Sequence, residues 1–346
     1  MTTVAPRKPW AATPADRLRD LAIFLLSAVL SYLVVAVTPA KGKLAYVGLF
    51  FIFYSVASGI AGWIKFGRRS AADLFIKTLI GLMAFVTVLP ILSILTTVIA
   101  KGYRGINLNI FKTDMSLNAP TDPLNVGGLL HAITGTVILV SVALVLSVPL
   151  GILTALYITE VKGRFTKPIK FLVQAMSGVP SIVAGLFILS AVLYPITKAY
   201  SGFMASLALT ILMIPTIART SEEVLKLIPN DLREAGVALG GTQWRTVAMI
   251  VLPAARSGLM TAVILGIARI AGETAPLLLL SGGGDKVNPN PFHDPMGSLP
   301  YYIWKSFNAG SPEAITRAWA GLLVLVGLVL ILFTAARYLG SKKSSK

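Results

Sequence analysis

The stretch LLHAITGTVILVSVALVLSVPLGILTALYI, residues 129–158, decides the fold class of this chain. It holds no Asp, Glu, Lys or Arg, and its apolar side chains continue without the alternation typical of a barrel strand. A helix that crosses the roughly 30 Å hydrocarbon core of a bilayer needs about 20 predominantly apolar residues. The stretch therefore predicts a membrane-spanning helix.

The composition of the whole chain agrees with this prediction. Of its 346 residues, 55% are hydrophobic and 13% are charged, and the mean hydropathy is +0.78. A soluble domain carries about 25% charged residues. The chain has no cysteine, which excludes disulfides, thiolate metal sites and a cysteine nucleophile, and its two histidines, His131 and His293, form no metal motif. The net charge of +17 would indicate a nucleic-acid partner in a soluble protein, but no nucleic acid is expected here.

Eight apolar runs are candidates for membrane spans. They cover residues 21–38, 44–64, 74–100, 129–158, 169–194, 203–218, 257–280 and 316–338. The chain is therefore predicted to be an all-α integral membrane protein, a polytopic helical bundle. The sixth run is short and carries Pro215 near its end, which favours a tilted or broken helix there.

The basic residues indicate how the bundle is oriented. With the N-terminus inside, the inner stretches carry about twice as many Lys and Arg residues as the outer stretches, so both termini are expected in the cytoplasm. The predicted parts are a cytoplasmic N-terminal segment at 1–20, an additional transmembrane hairpin at 21–64, a transmembrane domain at 74–338 and a cytoplasmic tail at 339–346. Within the domain, 219–256 forms a long inner loop, and 101–128 and 281–315 form outer loops.

Two charged residues lie inside the seventh span. Arg269 and Glu273 are four residues apart, so they share one helix face, and Glu273 is the only acidic residue in any predicted span. Such residues usually face a helix bundle or a substrate pathway, because a charge at the bilayer centre costs about 2.5–3.5 kcal/mol on insertion scales. The pair is either an ion pair that holds helices together or part of a path for an oxyanion, whose oxygens match the planar guanidinium.

Two further features belong to the same hypothesis of an anion pathway. Gly272 and Pro276 favour a broken or kinked helix, as transporters have near their substrate path. Arg219, at the inner end of the sixth span, is a candidate second cation, with Glu222 and Glu223 as its expected partners. Alternatively, Arg219 is an ordinary basic residue at an inner helix end.

The inner loop reads as two short helices. The first covers 231–240, and the second covers 242–253 and is expected to end at Pro253. One interpretation is an amphipathic helix that lies on the bilayer surface. The spacing favours another: Glu234-Ala235-Gly236, three residues, Gly240, nine residues, Ile250, one residue and Leu252-Pro253.

This pattern resembles the EAA signature of ABC importer permeases, with Gly236 in place of the second alanine. The resemblance implies a type I ABC importer permease core of six helices, to which this chain adds two N-terminal helices. It also implies that Glu234, Ala235, Gly236, Gly240, Ile250, Leu252 and Pro253 dock against a separate ATPase subunit. No Gly-x-x-x-x-Gly-Lys-Ser/Thr loop occurs in the chain, so ATP and Mg are expected in the ATPase partner and no cofactor in this chain.

Two more segments resemble one branch of that family. Residues 177–187, SGVPSIVAGLF, and residues 269–278, RIAGETAPLL, are similar to segments of the phosphate-importing permeases, the second to the PstA branch. The resemblance implies a bacterial inner-membrane complex with a PstC-like second permease, two PstB-like ATPase subunits and an external PstS-like phosphate-binding protein. It also implies that Arg219, Arg269 and Glu273 line the phosphate path.

The leading hypothesis is therefore a permease subunit of an ATP-driven phosphate importer, which is not itself an enzyme. A permease for another oxyanion, sulfate or molybdate, remains an alternative because charge alone does not separate these anions. A membrane scaffold that senses phosphate is a second alternative. An intramembrane enzyme is disfavoured because the chain has neither His-Glu-x-x-His nor paired acids within the spans.

Overall fold

The computed structural model describes residues 13–38 and 42–341, which are mostly helical. It divides into two compact units, Met1–Thr96 and Thr97–Lys346. Residues 1–12 of the expected N-terminal segment and residues 342–346 of the expected tail lie outside the described residues.

The first unit contains α1 (Pro14–Val37), α2 (Lys43–Phe66) and most of α3 (Arg68–Gly102). A capping box begins α1: the Thr13 hydroxyl accepts from the Asp16 amide, and the Asp16 carboxylate accepts from the Thr13 amide. The helices α1 and α2 pack together as a hairpin, with the rings of Phe24 and Phe50 in edge contact at 5.1 Å. The buried hydroxyl of Ser31 donates to a carbonyl of its own helix, which satisfies it in an apolar setting.

The second unit holds the remaining helices. They are α4 (Leu130–Leu156), α5 (Thr166–Ser177), α6 (Ser181–Ile188), α7 (Gly202–Lys226), α8 (Asn230–Ala238), α9 (Gln243–Thr246), α10 (Leu252–Ile270), α11 (Ala275–Leu280), α12 (Leu299–Ala309) and α13 (Pro312–Ser341). Wider π-helical turns continue α4 over Tyr157–Val161 and α6 over Leu189–Thr197, and join α9 to α10 over Val247–Val251. The described residues contain no strand, only an isolated bridge between Gly282 and Met296.

The helix α7 lies at the centre of this unit, packed against α4 and α10. Glycines allow the close approach on both sides, since a Cβ on Gly151 of α4 or on Gly266 of α10 would lie 2.7 Å from a side-chain carbon of α7. Small residues at such interfaces are how membrane helices gain packing energy without a hydrophobic driving force. The packing fixes the register of α10 against α7.

The number of spans agrees with the sequence prediction, although one span is bent. Seven described helices are long and apolar enough to cross a membrane, and the count reaches the predicted eight when the pair Thr166–Ser177 and Ser181–Thr197, which meets at 106°, is taken as one span. Pro180 lies in this break; a proline disfavours helical geometry in the residue before it, here Val179. The break predicted at Pro215 was wrong, because α7 continues through Pro215 to Lys226. Packing of α7 on several sides compensates for the one lost backbone hydrogen bond.

The seventh predicted span is interrupted where Gly272 and Pro276 indicated. The helix α10 ends at Ile270, a turn follows, and α11 begins at Ala275. The prediction that the second helix of the inner loop ends at Pro253 was wrong, because the chain is helical from Gln243 to Ile270. The π turn Val247–Val251 widens the helix just before Pro253, which relieves the clash between its ring and the preceding turn.

Helices extend into all three predicted loops. In the inner loop 219–256, α7 reaches Lys226 and helix resumes at Gln243, so α8 and its flanking turns form the actual connection. The outer loop 281–315 contains α12, and 101–128 contains two 3-10 turns, Tyr103–Gly105 and Leu108–Phe111.

The two outer loops are tied to one another and to α13. The Asp114 carboxylate accepts a hydrogen bond from the Val287 amide at 3.1 Å. Burial opposes ionisation of Asp114, but hydrogen bonds from Ser116 and Val287 outweigh it and lower the pKa of the carboxyl. Arg317 of α13 is 4% exposed, and one of its nitrogens donates to the carbonyls of Asp122, Pro123 and Val126 at 2.7–3.0 Å.

Candidate substrate pathway and coupling site

The charged pair of the seventh span lies at the end of α10. An Arg269 guanidinium nitrogen donates to the Glu273 carboxylate, as their spacing predicted. The Arg269 side chain is 41% exposed and the Glu273 side chain 12% exposed, so the arginine is the more accessible member of the pair and the carboxylate is largely enclosed. Beside them, a Cβ on Gly272 would meet no described atom within 4 Å. The pair therefore borders open space at a helix break.

The two interrupted helices meet each other. A Cβ placed on Gly185 of α6 would lie 3.0 Å from the Cα of Pro276 in α11, so the two backbones are in close contact. Gly185 belongs to the segment 177–187, and Pro276 to the segment 269–278. The tertiary structure therefore brings together the two segments on which the resemblance to phosphate permeases rests.

Arg219 lies on α7, away from this pair. Gly258 contacts Val224 and Gly266 contacts Ile217, which shows that α7 and α10 run antiparallel in a fixed register. At 1.5 Å of rise per residue, Arg219 is about 10 Å from the level of Arg269 along the helix axes.

The expected partners of Arg219 bind other residues. Glu222 accepts from Lys170 at 3.0 Å and from Lys226 at 2.9 Å, and Glu223 pairs with Lys226. Arg219 is exposed and makes no ion pair with any residue in 13–38 or 42–341. The predicted pairing with Glu222 and Glu223 was therefore wrong: the lysine of α5 and the lysine one turn further along α7 compete for these carboxylates.

The residues of the EAA-like pattern form a compact turn of two helices. Gly240 has a φ of +81°, a left-handed conformation that favours glycine, and it reverses the chain between α8 and α9. Gly236 is buried, and a Cβ there would lie 2.5 Å from Thr246 and 2.8 Å from Ile250. Gly236, near the start of the EAA-like pattern, therefore packs closely against Ile250 near its end.

The outer face of this turn carries both polar and apolar exposed residues. Glu234, Ala235, Gly240 and Pro253 are exposed, and Leu252 is half-buried. Large apolar side chains accompany them at high exposure: Val237, Leu239, Trp244 and Met249. Exposed apolar groups rimmed by polar residues are typical of a surface that contacts a partner.

A residue that was not predicted from the sequence holds α8 in place. Glu160, at the end of the π turn after α4, accepts hydrogen bonds from Arg233 of α8 at 2.8 and 3.0 Å. Hydrogen bonding to Glu160 raises the pKa of the Arg233 guanidinium, against the effect of burial. A cavity of about 650 Å³ adjoins the pair, between α8, the π turn and α9. The available sequence signal was an acidic residue two positions after the apolar run 129–158.

Comparison with known proteins identifies the family. Residues 147–345 match the family model described as the inner membrane component of binding-protein-dependent transport systems. The PstA 1 protein of Mycobacterium tuberculosis, a phosphate transport system permease protein by name, is 38% identical over 252 residues, 72% of this chain and 83% of that protein. The chain belongs to the PstA family of ABC permeases. The PstA protein of Pasteurella multocida is 36% identical over 282 residues, 81% of this chain and 98% of the relative.

A solved structure shows the same fold. A bacterial ABC transporter involved in the import of the acidic polysaccharide alginate matches with a TM-score of 0.56 and 17% identity, over 80% of this chain and all of that chain. As a PstA-family permease, the chain is a multi-pass inner-membrane component of a transporter. The predicted fold class, a helical type I ABC importer permease, is therefore confirmed.

Proposed function

We propose that the chain is the PstA subunit of an ATP-driven importer of inorganic phosphate, with both termini in the cytoplasm. The observation that carries this proposal is its identity of 36–38% to phosphate transport system permeases over most of the chain. The subunit would form half of the substrate pathway. A PstC-like permease would form the other half, and an external PstS-like protein would deliver phosphate.

In this proposal Arg269 accepts the anion and Glu273 regulates its release. The guanidinium is permanently charged, its side chain is 41% exposed, and two of its N–H groups can donate to two phosphate oxygens at once. Glu273 neutralises Arg269 when the site is empty and competes with the anion, so phosphate binds without remaining trapped. With both termini inside, Arg219 lies about 10 Å further toward the cytoplasm and offers a second cation on the way in.

The α8–α9 turn would couple this pathway to ATP hydrolysis. It would dock Glu234, Ala235, Gly236, Gly240, Ile250, Leu252 and Pro253, with their exposed apolar neighbours, against one of two PstB-like ATPase subunits. Those subunits would bind ATP and Mg. ATP-driven closure of the ATPase pair would then move α8 and switch the permease between outward- and inward-facing states.

The test is ATP-dependent uptake of radiolabelled phosphate by vesicles that contain the whole complex, with excess unlabelled sulfate or molybdate. Arg269→Gln is compared with Arg104→Gln, a matched change at an exposed residue of the outer loop. We expect uptake that resists both competitors, disappears in Arg269→Gln and persists in Arg104→Gln.

Other outcomes decide between the alternatives. Uptake suppressed by sulfate or molybdate would reassign the substrate within the oxyanions. Uptake that does not depend on this chain would favour a sensing scaffold. An active Arg269→Gln complex would reduce the Arg269–Glu273 pair to a contact that stabilises the helices.

A further inference from the structure

The carboxylate of Glu160 lies where four helices meet. Its oxygens bind the Arg233 guanidinium of α8, and its backbone carbonyl accepts from the side-chain Nε2 of Gln243 in α9 at 2.6 Å. Glu160 itself belongs to the π turn that continues α4. One residue therefore connects the fourth span with both helices of the inner turn.

Arg233 extends this junction to α7. Its guanidinium donates to the backbone carbonyls of Leu225 at 2.9 Å and Ile228 at 2.6 Å, at and just beyond the end of α7. The Leu225 carbonyl lies in the last turn of α7 and also accepts from the Ile228 backbone amide at 3.3 Å, and the Ile228 carbonyl lies just past the helix end. The arginine fork thus joins α8, the end of α7 and the end of α4 in one hydrogen-bonded group.

The burial of the pair makes this junction stiff. The Glu160 side chain is 6% exposed and the Arg233 side chain 22% exposed, and two hydrogen bonds fix their relative orientation. Separating them would leave a carboxylate in an enclosed site without its countercharge, which is far more costly than separating an exposed pair. A displacement of α8 is therefore transferred to α4 and α7 before the pair separates.

We infer that Glu160 and Arg233 are positioning residues that transmit movement of the α8–α9 turn to the fourth and seventh helices. The inference rests on the proposed coupling role of that turn. Arg219 lies on α7, and α7 packs against α10, whose last turn carries Arg269. Movement of α8 is therefore transmitted through the same junction to the proposed substrate pathway.

The experiment measures phosphate transported per ATP hydrolysed in vesicles that contain the whole complex, for Glu160→Gln, Arg233→Gln and the double variant. Each single change should lower the ratio by about tenfold while ATP hydrolysis continues. The double variant should be no worse than either single variant, because the two residues act as one unit. Glu223→Gln, which removes a 65% exposed carboxylate bound to Lys226, should change the ratio less than twofold.

Each other outcome has a defined meaning. A wild-type complex without ATP-driven phosphate uptake would overturn the proposed function itself. A wild-type complex that transports, alongside Glu160→Gln at the wild-type ratio, would overturn only the inference. If Glu160→Gln fails to assemble, Arg233→Lys supplies the same test, since it keeps the charge and loses the fork: a reduced ratio supports the junction, and an unchanged ratio overturns it.

Discussion

Gly236 offers a sharp test of how the inner turn is built. The EAA signature has alanine at this position, so Gly236→Ala looks harmless from sequence. In the structure a Cβ there would lie 2.5 Å from the Thr246 methyl carbon and 2.8 Å from its hydroxyl oxygen. Overpacking of this kind lowers stability by about 1–3 kcal/mol, and the better helix propensity of alanine offsets about 0.5–1 kcal/mol of that loss. We therefore expect the α8–α9 packing to lose about 1–2 kcal/mol.

Amide hydrogen exchange in the assembled complex measures this loss directly. A local loss of about 1.4 kcal/mol raises the opening equilibrium about tenfold, so the amides of 236–246 should exchange about tenfold faster in Gly236→Ala. Phosphate transported per ATP should fall in parallel.

Two variants control the result. Gly327→Ala is a matched change in α13, where a Cβ would meet no described atom within 4 Å, and it should leave exchange in the turn unchanged. Adding Thr246→Ala to Gly236→Ala should restore most of the protection, because it removes two of the three atoms within 2.8 Å of the added Cβ, and the third is the flexible end of the Ile250 side chain. The buried Thr246 hydroxyl has no hydrogen-bond partner among the described residues, so its removal breaks no hydrogen bond there. Wild-type exchange in Gly236→Ala, or no rescue by the second change, would refute the packing argument.

The outer loops give three further predictions. Arg317→Met removes the three hydrogen bonds that the buried guanidinium donates to backbone carbonyls. Because water can bind the freed carbonyls and offset part of the lost hydrogen-bond energy, we expect about 3 kcal/mol of local destabilisation. Amide exchange at 122–128 should then be roughly a hundredfold faster. Lys305→Met breaks an ion pair with Asp285 whose side chains are 35% and 37% exposed, and should change exchange less than threefold; equal effects of the two changes would contradict this reasoning. The lowered pKa of Asp114 means that its contribution to stability is present above the ordinary value of 3.8 and is lost as the pH falls through the lower folded value. Relative to the intrinsic exchange rate at each pH, acidification below 3.8 should therefore reduce the protection of the Val287 amide in the wild type, whereas Asp114→Asn should show low protection there at neutral pH already and little further change.

The helix breaks show how far local sequence rules reach. Pro180 and Gly272 both lie where the chain bends, and the second break was predicted from Gly272 and Pro276. Pro215 and Pro253 carry the same local signal but lie within continuous helical segments. A proline removes one hydrogen bond wherever it occurs; whether the helix then bends depends on neighbouring helices and on a compensating turn such as Val247–Val251.

The partners of the charged residues were harder to predict than their positions. Arg269 and Glu273 lie four residues apart on one helix, so geometry alone placed them in contact. Glu160 and Arg233 are separated by 73 residues in the chain. Glu222 forms an ion pair with Lys170 of another helix and not with Arg219. Neither outcome is encoded in local spacing, because both depend on which helix ends meet.

The sequence by itself determined the membrane class, the spans, the family and the pair at 269–273. Those follow from apolar length, local periodicity and short fixed spacings, which act within one or two turns of helix. Only the tertiary structure decided that the segments 177–187 and 269–278 touch through Gly185 and Pro276, and that Glu160 holds the inner turn. These contacts join residues far apart in the chain, and their energy comes from close packing and burial that exist only once the helices have assembled.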